Sequence, residues 1–234
     1  MKRIVKCCLA VALGFAAVGC SKNGGHKKVQ LWKDGPYWAE TNIGAENPWD
    51  YGYYFWWGDT IGYKRLNGAW VASDGSSSNF SFTKDNVPTF DKSDSELWQG
   101  GWITEGGVLV PKHDAARVHW GGEWRMPTKQ ELKDLCEKCD WEWKTLNGVN
   151  GYVVSGRGDF GAASIFLSCA GSGDEISLKG AGSECYFWSC VSCPDDGCGN
   201  NAWGLYFNVY LHATDGIGGR NIGLPVRPVQ RFTK

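Results

Sequence analysis

Apolar side chains recur at a helical spacing in one segment near the middle of the chain. Just before it, Thr128-Lys129-Gln130-Glu131 has the spacing of a capping box, in which a hydroxyl and a carboxylate satisfy the amides of the first turn. The pattern predicts a helix from about 129 to 139. Its apolar positions, spaced i, i+3, i+4 and i+7, are Leu132, Leu135, Cys136 and Cys139.

Alternating patterns farther along the chain predict strands. Two Asn-Gly pairs, at 147–148 and 150–151, predict a hairpin that leads into a strand at 152–154. Further strands are expected at 164–167 and near 224–229, and apolar residues at every second position predict one more from Trp203 to Leu211. Few helices and several short antiparallel strands indicate an α+β fold.

Segment 29–60 is crowded with aromatic side chains, from Trp38 to Trp57. Large rings dominate burial energetics, so we expect them in the core, with an exposed platform for sugars as the alternative. Residues 61–120 follow neither a helical nor a strand period. Their Ser-rich part (73–81) and Gly-rich part (100–107) are expected to form long surface loops.

The first twenty residues have the pattern of a lipoprotein signal. A positive head precedes an apolar run, 7–18, that is too short to span a bilayer, and small residues then lead to Cys20. This pattern resembles the bacterial lipobox, which implies acylation of Cys20 and an outer-membrane, lipid-anchored protein displayed at the cell surface. An ordinary secretory signal is the alternative. The predicted organisation is a signal peptide at 1–19, a lipidated tether at 20–28 and one folded domain at 29–234.

Charge and motifs exclude several functional classes. The chain has 24 Lys and Arg against 25 Asp and Glu, so it offers no basic surface for a nucleic-acid backbone. It contains no nucleophile elbow, phosphate-binding loop or dinucleotide fingerprint. The expectation is a binding protein without enzymatic activity or a cofactor.

The composition changes abruptly near the carboxyl end. The chain contains 32 residues of Lys, Glu, Gln and Met, yet none of them lies between Cys185 and Val229. Strands and turns disfavour these long side chains, which is one explanation of the gap. A second explanation comes from a family resemblance.

Six motifs lie along the chain: NPWDYGYYFWWGDT (47–60), GGEWRMPTKQEL (121–132), CDWEWKTLNGVNGYVVSG (139–156), YFWS (186–189), AWGLYFN (202–208) and GLPVRPV (223–229). They resemble the major paralogous domain of bacterial surface lipoproteins, which has the C-type lectin-like fold of the formylglycine-generating-enzyme subtype. Within that family the chain resembles the treponemal variable-protein group, whose members are targets of diversity-generating retroelements.

The resemblance implies that the segment 185–222 is a variable region that binds the ligand. In such systems template adenines are copied unfaithfully, so AAC codons become codons that never specify Lys, Glu, Gln, Met or Trp. Trp188, Trp203, Leu205, Phe207 and 223–227 then belong to the framework. The implied variable positions are Cys190, Ser192, Cys193, Asp195, Asp196, Cys198, Gly199, Gly204, Tyr210, His212, Asp215, Gly216, Gly219, Asn221 and Ile222.

This reading predicts a surface lipoprotein whose ligand is a protein or a surface glycan. We expect substitutions at Cys190, Tyr210 or His212 to leave stability almost unchanged. If Trp203 is buried, its replacement by Ala should lower the free energy of unfolding by about 3 to 5 kcal/mol.

Three other functions stay open at this stage. Cys193 and Cys198 have the spacing of the copper-binding pair of formylglycine-generating enzymes, which would indicate an oxygen-dependent oxidase. Two Cys-x-x-Cys pairs, 136–139 and 190–193, could form a zinc site if the fold brought them together. The third alternative is a structural surface lipoprotein of the same fold that is not diversified.

Overall fold

The computed structural model describes residues 25–194 and 200–231, in which short antiparallel strands alternate with a few helices. The signal peptide and Cys20 lie outside these residues. The strands are β1 (Lys28–Gln30), β2 (Tyr37–Ala39), β3 (Tyr63–Leu66), β4 (Ala69–Ala72), β5 (Trp124–Arg125), β6 (Asp140–Leu146), β7 (Val149–Ser155), β8 (Ser164–Ser168), β9 (Ser172–Asp174), β10 (Ser177–Lys179), β11 (Glu184–Ser192), β12 (Asn201–Asn208), β13 (Leu211–Gly219) and β14 (Val229–Gln230). The α-helices are α1 (Asp94–Gln99), α2 (Ala115–Trp120) and α3 (Lys129–Lys138). The predicted α+β class is confirmed.

Helix α3 forms where the sequence predicts it. The Thr128 hydroxyl accepts a hydrogen bond from the Glu131 amide (3.2 Å), and the Glu131 carboxylate accepts one from the Thr128 amide (2.9 Å). Both halves of the capping box are therefore present. Leu132 and Leu135 are buried against the three-stranded sheet β11–β12–β13, so α3 supports the carboxyl-terminal strands.

The predicted hairpin connects β6 and β7. Its two-residue turn is Asn147-Gly148, and both residues have positive φ (50° and 82°), which only Gly, Asn and Asp adopt readily. The second Asn-Gly pair lies inside β7 instead, where Gly151 opposes Ser168 of β8. β6, β7 and β8 form one antiparallel sheet, and the strand predicted at 164–167 is confirmed.

A four-stranded sheet in the order β1–β2–β14–β5 joins the two ends of the described chain. The strand expected near 224–229 is reduced to Val229–Gln230, with an isolated bridge between Leu224 and Phe55. Pro225 and Pro228 lack the amide hydrogens that a longer ladder needs. The folded part also begins earlier than the predicted 29, since β1 starts at Lys28.

Five of the eight aromatic side chains between Trp38 and Trp57 lie in the core, as predicted, whereas Trp49, Tyr51 and Tyr53 are only partly buried. Trp38, Phe55 and Trp57 are at most 1 % exposed, and the segment contributes to both hydrophobic clusters of the protein. Residues 61–120 are more ordered than predicted, with the hairpin β3–β4 and helices α1 and α2. None of the helices in the described part of the chain is long and apolar enough to cross a membrane.

The long strand predicted from Trp203 to Leu211 is wrong at its end. β12 stops at Asn208, the chain reverses at Val209 and Tyr210, and Leu211 begins β13. The apolar alternation continues through the reversal by coincidence, and it therefore hides the turn. Six of the fifteen predicted variable positions lie on this hairpin: Gly204, Tyr210, His212, Asp215, Gly216 and Gly219.

Candidate ligand-binding surface

Six of the fifteen predicted variable positions are spread along the β12–β13 hairpin rather than gathered in one place. Tyr210 lies in the turn, whereas Gly219 lies at the opposite end of β13, beside Asn201. At about 3.3 Å per residue, the eight steps from Leu211 to Gly219 span about 26 Å. The hairpin therefore has a turn end and an open end that cannot contact the same small ligand.

The turn end projects an apolar tip into solvent. Tyr210 is 92 % exposed, and its neighbours Val209 and Leu211 are 44 % and 49 % exposed. The side-chain oxygen of Asn208 accepts hydrogen bonds from the Tyr210 amide (2.9 Å) and the Leu211 amide (3.0 Å). Its side-chain nitrogen donates to the Tyr206 hydroxyl (2.8 Å). Asn208 therefore connects β12 with the turn and with the start of β13.

Aromatic rings from β6 and β7 continue this surface. The imidazole of His212 stacks on Trp141 with ring centroids 4.3 Å apart and planes 2° from parallel. Partial burial lowers the pKa of His212, so the stacked ring is neutral at physiological pH. Tyr152 lies edge-on to both rings and donates a hydrogen bond to the Asn208 carbonyl (3.0 Å). We call this the turn-end surface, formed by Trp141, Trp143, Val209, Tyr210, Leu211 and His212.

The middle of the hairpin carries glycine where a side chain would collide. Gly204 is buried and pairs in register with Gly216 on one side and Trp188 on the other. A Cβ at the nearby Gly218 would lie 2.8 Å from the ring of Trp188. Trp188 is fully buried and donates its indole hydrogen to the Phe55 carbonyl (2.7 Å), so it is part of the packed core.

At the open end, three predicted variable positions are inaccessible. Cys190, Ser192 and Cys193 are at most 3 % exposed, so the expectation that they lie on an exposed face is wrong. The segment 103–110 covers them: the Leu109 amide donates to the Cys190 carbonyl (2.9 Å), and the Ser192 amide donates to the Gly107 carbonyl (2.9 Å). The cover comes from the region in which no element was predicted.

A buried arginine, Arg220, binds the open end of the hairpin to residues 92–94. The sequence did not predict this role. Arg220 is 0 % exposed and donates to the Lys92 carbonyl (2.8 Å) and to the Asp94 carboxylate (3.0 Å). The other oxygen of Asp94 accepts the Ser192 hydroxyl hydrogen (2.6 Å). The isolated charge of Arg220 within an uncharged, Gly-rich stretch was the signal that could have identified it.

Arg227, predicted to be framework, is also buried. Its guanidinium donates to the side chain of Asn42 (2.8 Å) and to the carbonyl of Phe166 (2.8 Å), among other backbone acceptors. Burial lowers its pKa to about 9, so it remains charged at neutral pH. Together Arg220 and Arg227 hold the carboxyl-terminal segment against the rest of the core.

The remaining predicted positions fall into two groups. Gly219, Asn221 and Ile222 are partly buried near the open end. Asp195, Asp196, Cys198 and Gly199 lie outside the described residues, and Asp215 and Gly216 are described only by the backbone pairing of β13.

Trp203 is less buried than a core tryptophan. It is partly exposed, and the Lys129 ammonium lies 3.0 Å from the centre of its ring. A cation at this position shields one face of the indole and contributes a cation–π attraction. The cost expected for Trp203→Ala is correspondingly smaller than the cost for a fully buried ring.

Metal chemistry has little support in the described part of the chain. There, no group of three or more His, Cys, Asp or Glu side chains could hold a metal ion. The four-cysteine zinc site is therefore not formed. Burial raises the pKa of Cys139 and Cys190 to about 12, so both side chains are thiols at neutral pH. The copper-pair partner Cys198 lies outside the described residues.

A polar cavity of about 470 Å³ lies between the turn at 32–36 and helix α3. Its charges are largely satisfied within the protein. Arg125 forms two hydrogen bonds with Glu131 (2.7 and 2.5 Å), and Lys138 pairs with Asp134 (2.9 Å). The turn-end surface is the better candidate, because its exposed groups have no such partners that would have to be displaced.

Comparisons of the chain with protein-family models, with curated proteins and with solved structures found no match.

Proposed function

We propose that this protein is a lipid-anchored surface protein that binds a ligand through the turn end of its β12–β13 hairpin. The observation that carries the proposal is the combination of a fixed turn and an exposed side chain: Asn208 holds the backbone, while Tyr210 is 92 % exposed. A side chain presented from a rigid backbone loses little conformational entropy on binding. The protein binds and does not catalyse.

The chemistry of the turn-end surface favours a ligand with an apolar or ring-shaped face. Its six residues include three large aromatic rings and two aliphatic side chains, and the imidazole of His212 is stacked and neutral. Aromatic rings of this kind contact the C–H face of a sugar or the apolar side chains of a protein. A surface glycan or a partner protein fits this description, whereas a nucleic acid does not.

The finer fold belongs to the same proposal. We assign the chain to the C-type lectin-like fold of the formylglycine-generating-enzyme subtype, with the carboxyl-terminal block as a region that a retroelement diversifies. Two features support this assignment: β14 pairs with β2 and so joins the chain ends, and the framework residues Trp188, Leu205 and Phe207 are at most 1 % exposed. Diversification would then change contacts without unfolding the core.

Deep sequencing of the 3′ end of the gene in a growing population tests the proposal. We expect substitutions confined to codons with template adenines, among them those of Tyr210 and His212, and no substitutions at Trp188. At Cys190 and Ser192, where the cover at 103–110 leaves no room, surviving variants should carry small side chains. An invariant 3′ end, or changes that reach Trp188 as often as Tyr210, would contradict the proposal.

A further inference from the structure

The first described residues pack against two tryptophans beside the β1–β2–β14–β5 sheet. The His26 imidazole stacks on Trp120 with centroids 3.5 Å apart and planes within 10°. Trp124 lies edge-on to both rings, at 6.1 Å from His26 and 5.0 Å from Trp120. The stacking of His26 on Trp120 fixes where the chain leaves the folded domain toward Cys20.

Hydrogen bonds continue this attachment into β1. The Glu40 amide donates to the Lys27 carbonyl (3.1 Å), and the Lys28 ammonium donates to the side chain of Gln230 (2.7 Å). The exit point is therefore part of the sheet and cannot swing away from it. Whatever anchors residue 20 must stay close to this face.

The chain between Cys20 and His26 is short. Six residue steps at no more than about 3.6 Å each give a reach of at most about 22 Å. A lipid on Cys20 would thus keep His26 within about 22 Å of the headgroup layer, which is less than the width of a domain of this size.

The face around the exit point has the side chains that interfaces between water and lipid favour. Trp120 of α2 is partly exposed, and the Lys27 side chain is 81 % exposed, with its ammonium 3.7 Å from the Glu40 carboxylate. Tryptophan concentrates at the headgroup level, and lysine is attracted by anionic lipids. We call this the tether-exit surface, formed by His26, Lys27 and Trp120.

We infer that the tether-exit surface lies against the lipid headgroups of the membrane in which the chain is anchored. The inference rests on the proposed acylation of Cys20. Trp120 contacts the interfacial layer, the Lys27 ammonium leaves the Glu40 carboxylate to pair with anionic phosphates, and the short tether supplies a high local concentration that makes weak contacts effective. The domain therefore has one fixed orientation on the membrane.

Fluorine NMR of the acylated full chain tests this orientation. The chain is labelled with 5-fluorotryptophan and placed in phosphatidylcholine–phosphatidylglycerol bicelles that carry a spin label on the headgroup. The Trp120 and Trp98 signals are identified by their loss in Trp120→Phe and Trp98→Phe. Trp98 is the matched control, because it lies on α1 and is 49 % exposed. We expect several-fold stronger broadening of Trp120 than of Trp98, and equal broadening would overturn the inference.

A second pair of variants distinguishes contact from mere proximity. Lys27→Glu replaces the ammonium by a carboxylate among the headgroups and should reduce the broadening of Trp120. Lys179→Glu, a matched change at another ion-paired lysine whose side chain is 63 % exposed, should leave it unchanged. Equal effects of the two variants would overturn the inference. A chain that sediments as a dimer and shows no broadening of the Trp120 signal would also overturn the inference. It would indicate that a second copy of the chain covers this surface.

Failure of this inference and failure of the ligand-binding proposal are separable. A chain that does not associate with the bicelles would overturn the anchor and the orientation together. Ligand binding by the turn-end surface is measured in detergent without a bilayer, so its result does not depend on the orientation.

Discussion

The turn end and the open end of the β12–β13 hairpin belong to the same block of sequence, which lacks Lys, Glu, Gln and Met. At the turn end Tyr210 is 92 % exposed, while at the open end Cys190 and Ser192 are at most 3 % exposed. The difference arises from the covering segment 103–110, which reaches only the open end. Similar composition therefore does not imply similar accessibility, and tolerance to substitution should differ sharply between the two ends.

The largest effect is expected at Trp188, under the open end. Trp188→Ala removes a fully buried ring and leaves the Phe55 carbonyl without its indole donor. We expect the free energy of unfolding to fall by about 3 to 5 kcal/mol, measured by urea denaturation. A loss below about 1 kcal/mol would mean that the open end is not part of a packed core.

The free energy of unfolding should also depend on pH, because Asp59 lies in the core beneath the open end. This carboxylate accepts hydrogen bonds from the Ile61 amide (2.9 Å) and the Gly62 amide (3.0 Å), beside Trp57, whose indole donates to the Ser189 carbonyl. Burial raises the pKa of Asp59 from 3.8 to about 6. Because the folded-state pKa is the higher one, the stabilisation is complete below the unfolded value and is lost as pH rises through about 6.

We expect this group to lower the free energy of unfolding by about 3 kcal/mol between about pH 4 and pH 7. Urea denaturation over this range measures the change. Asp59→Asn is the control, since it cannot ionise and should lack this part of the pH dependence. Parallel profiles for the wild type and Asp59→Asn would contradict the expectation.

A smaller effect is expected at Cys190. Cys190→Ser introduces a hydroxyl into the apolar cluster that contains Leu109 and Trp188. Burying a polar group without a new partner should lower the free energy of unfolding by about 1 to 3 kcal/mol. This reverses the sequence-based expectation that Cys190 can change freely. Urea denaturation measures this change. If Cys190→Ser left the free energy of unfolding unchanged, Cys190 would tolerate substitution as the sequence predicted, and the two ends would not differ in this respect.

The smallest change in stability is expected at Tyr210. Tyr210→Ala should alter the free energy of unfolding by less than about 0.5 kcal/mol, because the ring is almost fully exposed. Binding on a glycan array, or to a protein ligand once known, should nevertheless be lost. Ile176→Ala, at a residue of another hairpin that is 57 % exposed, is the control and should bind normally. Equal binding by the two variants would place the ligand elsewhere.

Local elements of this fold were predictable from the sequence, whereas the candidate surface was predictable only in part. Helix α3 and the Asn147-Gly148 turn depend on contacts within a few residues, and both formed as expected. The turn at Val209 and Tyr210 was missed, since neither residue is typical of turns and the apolar alternation continues through it. Asn208 was the available signal, because an asparagine often hydrogen-bonds to the backbone two residues onward.

The sequence alone determined the α+β class, the capping of α3 and the burial of several rings of the aromatic segment, because propensity, periodicity and residue size act locally or on average. Only the tertiary structure decided that Cys190 is covered, that Arg220 is fixed by Asp94, and that His212 stacks on Trp141. Each of these contacts joins segments more than 70 residues apart. No local pattern encodes such contacts, and here they decide which side chains a ligand can reach.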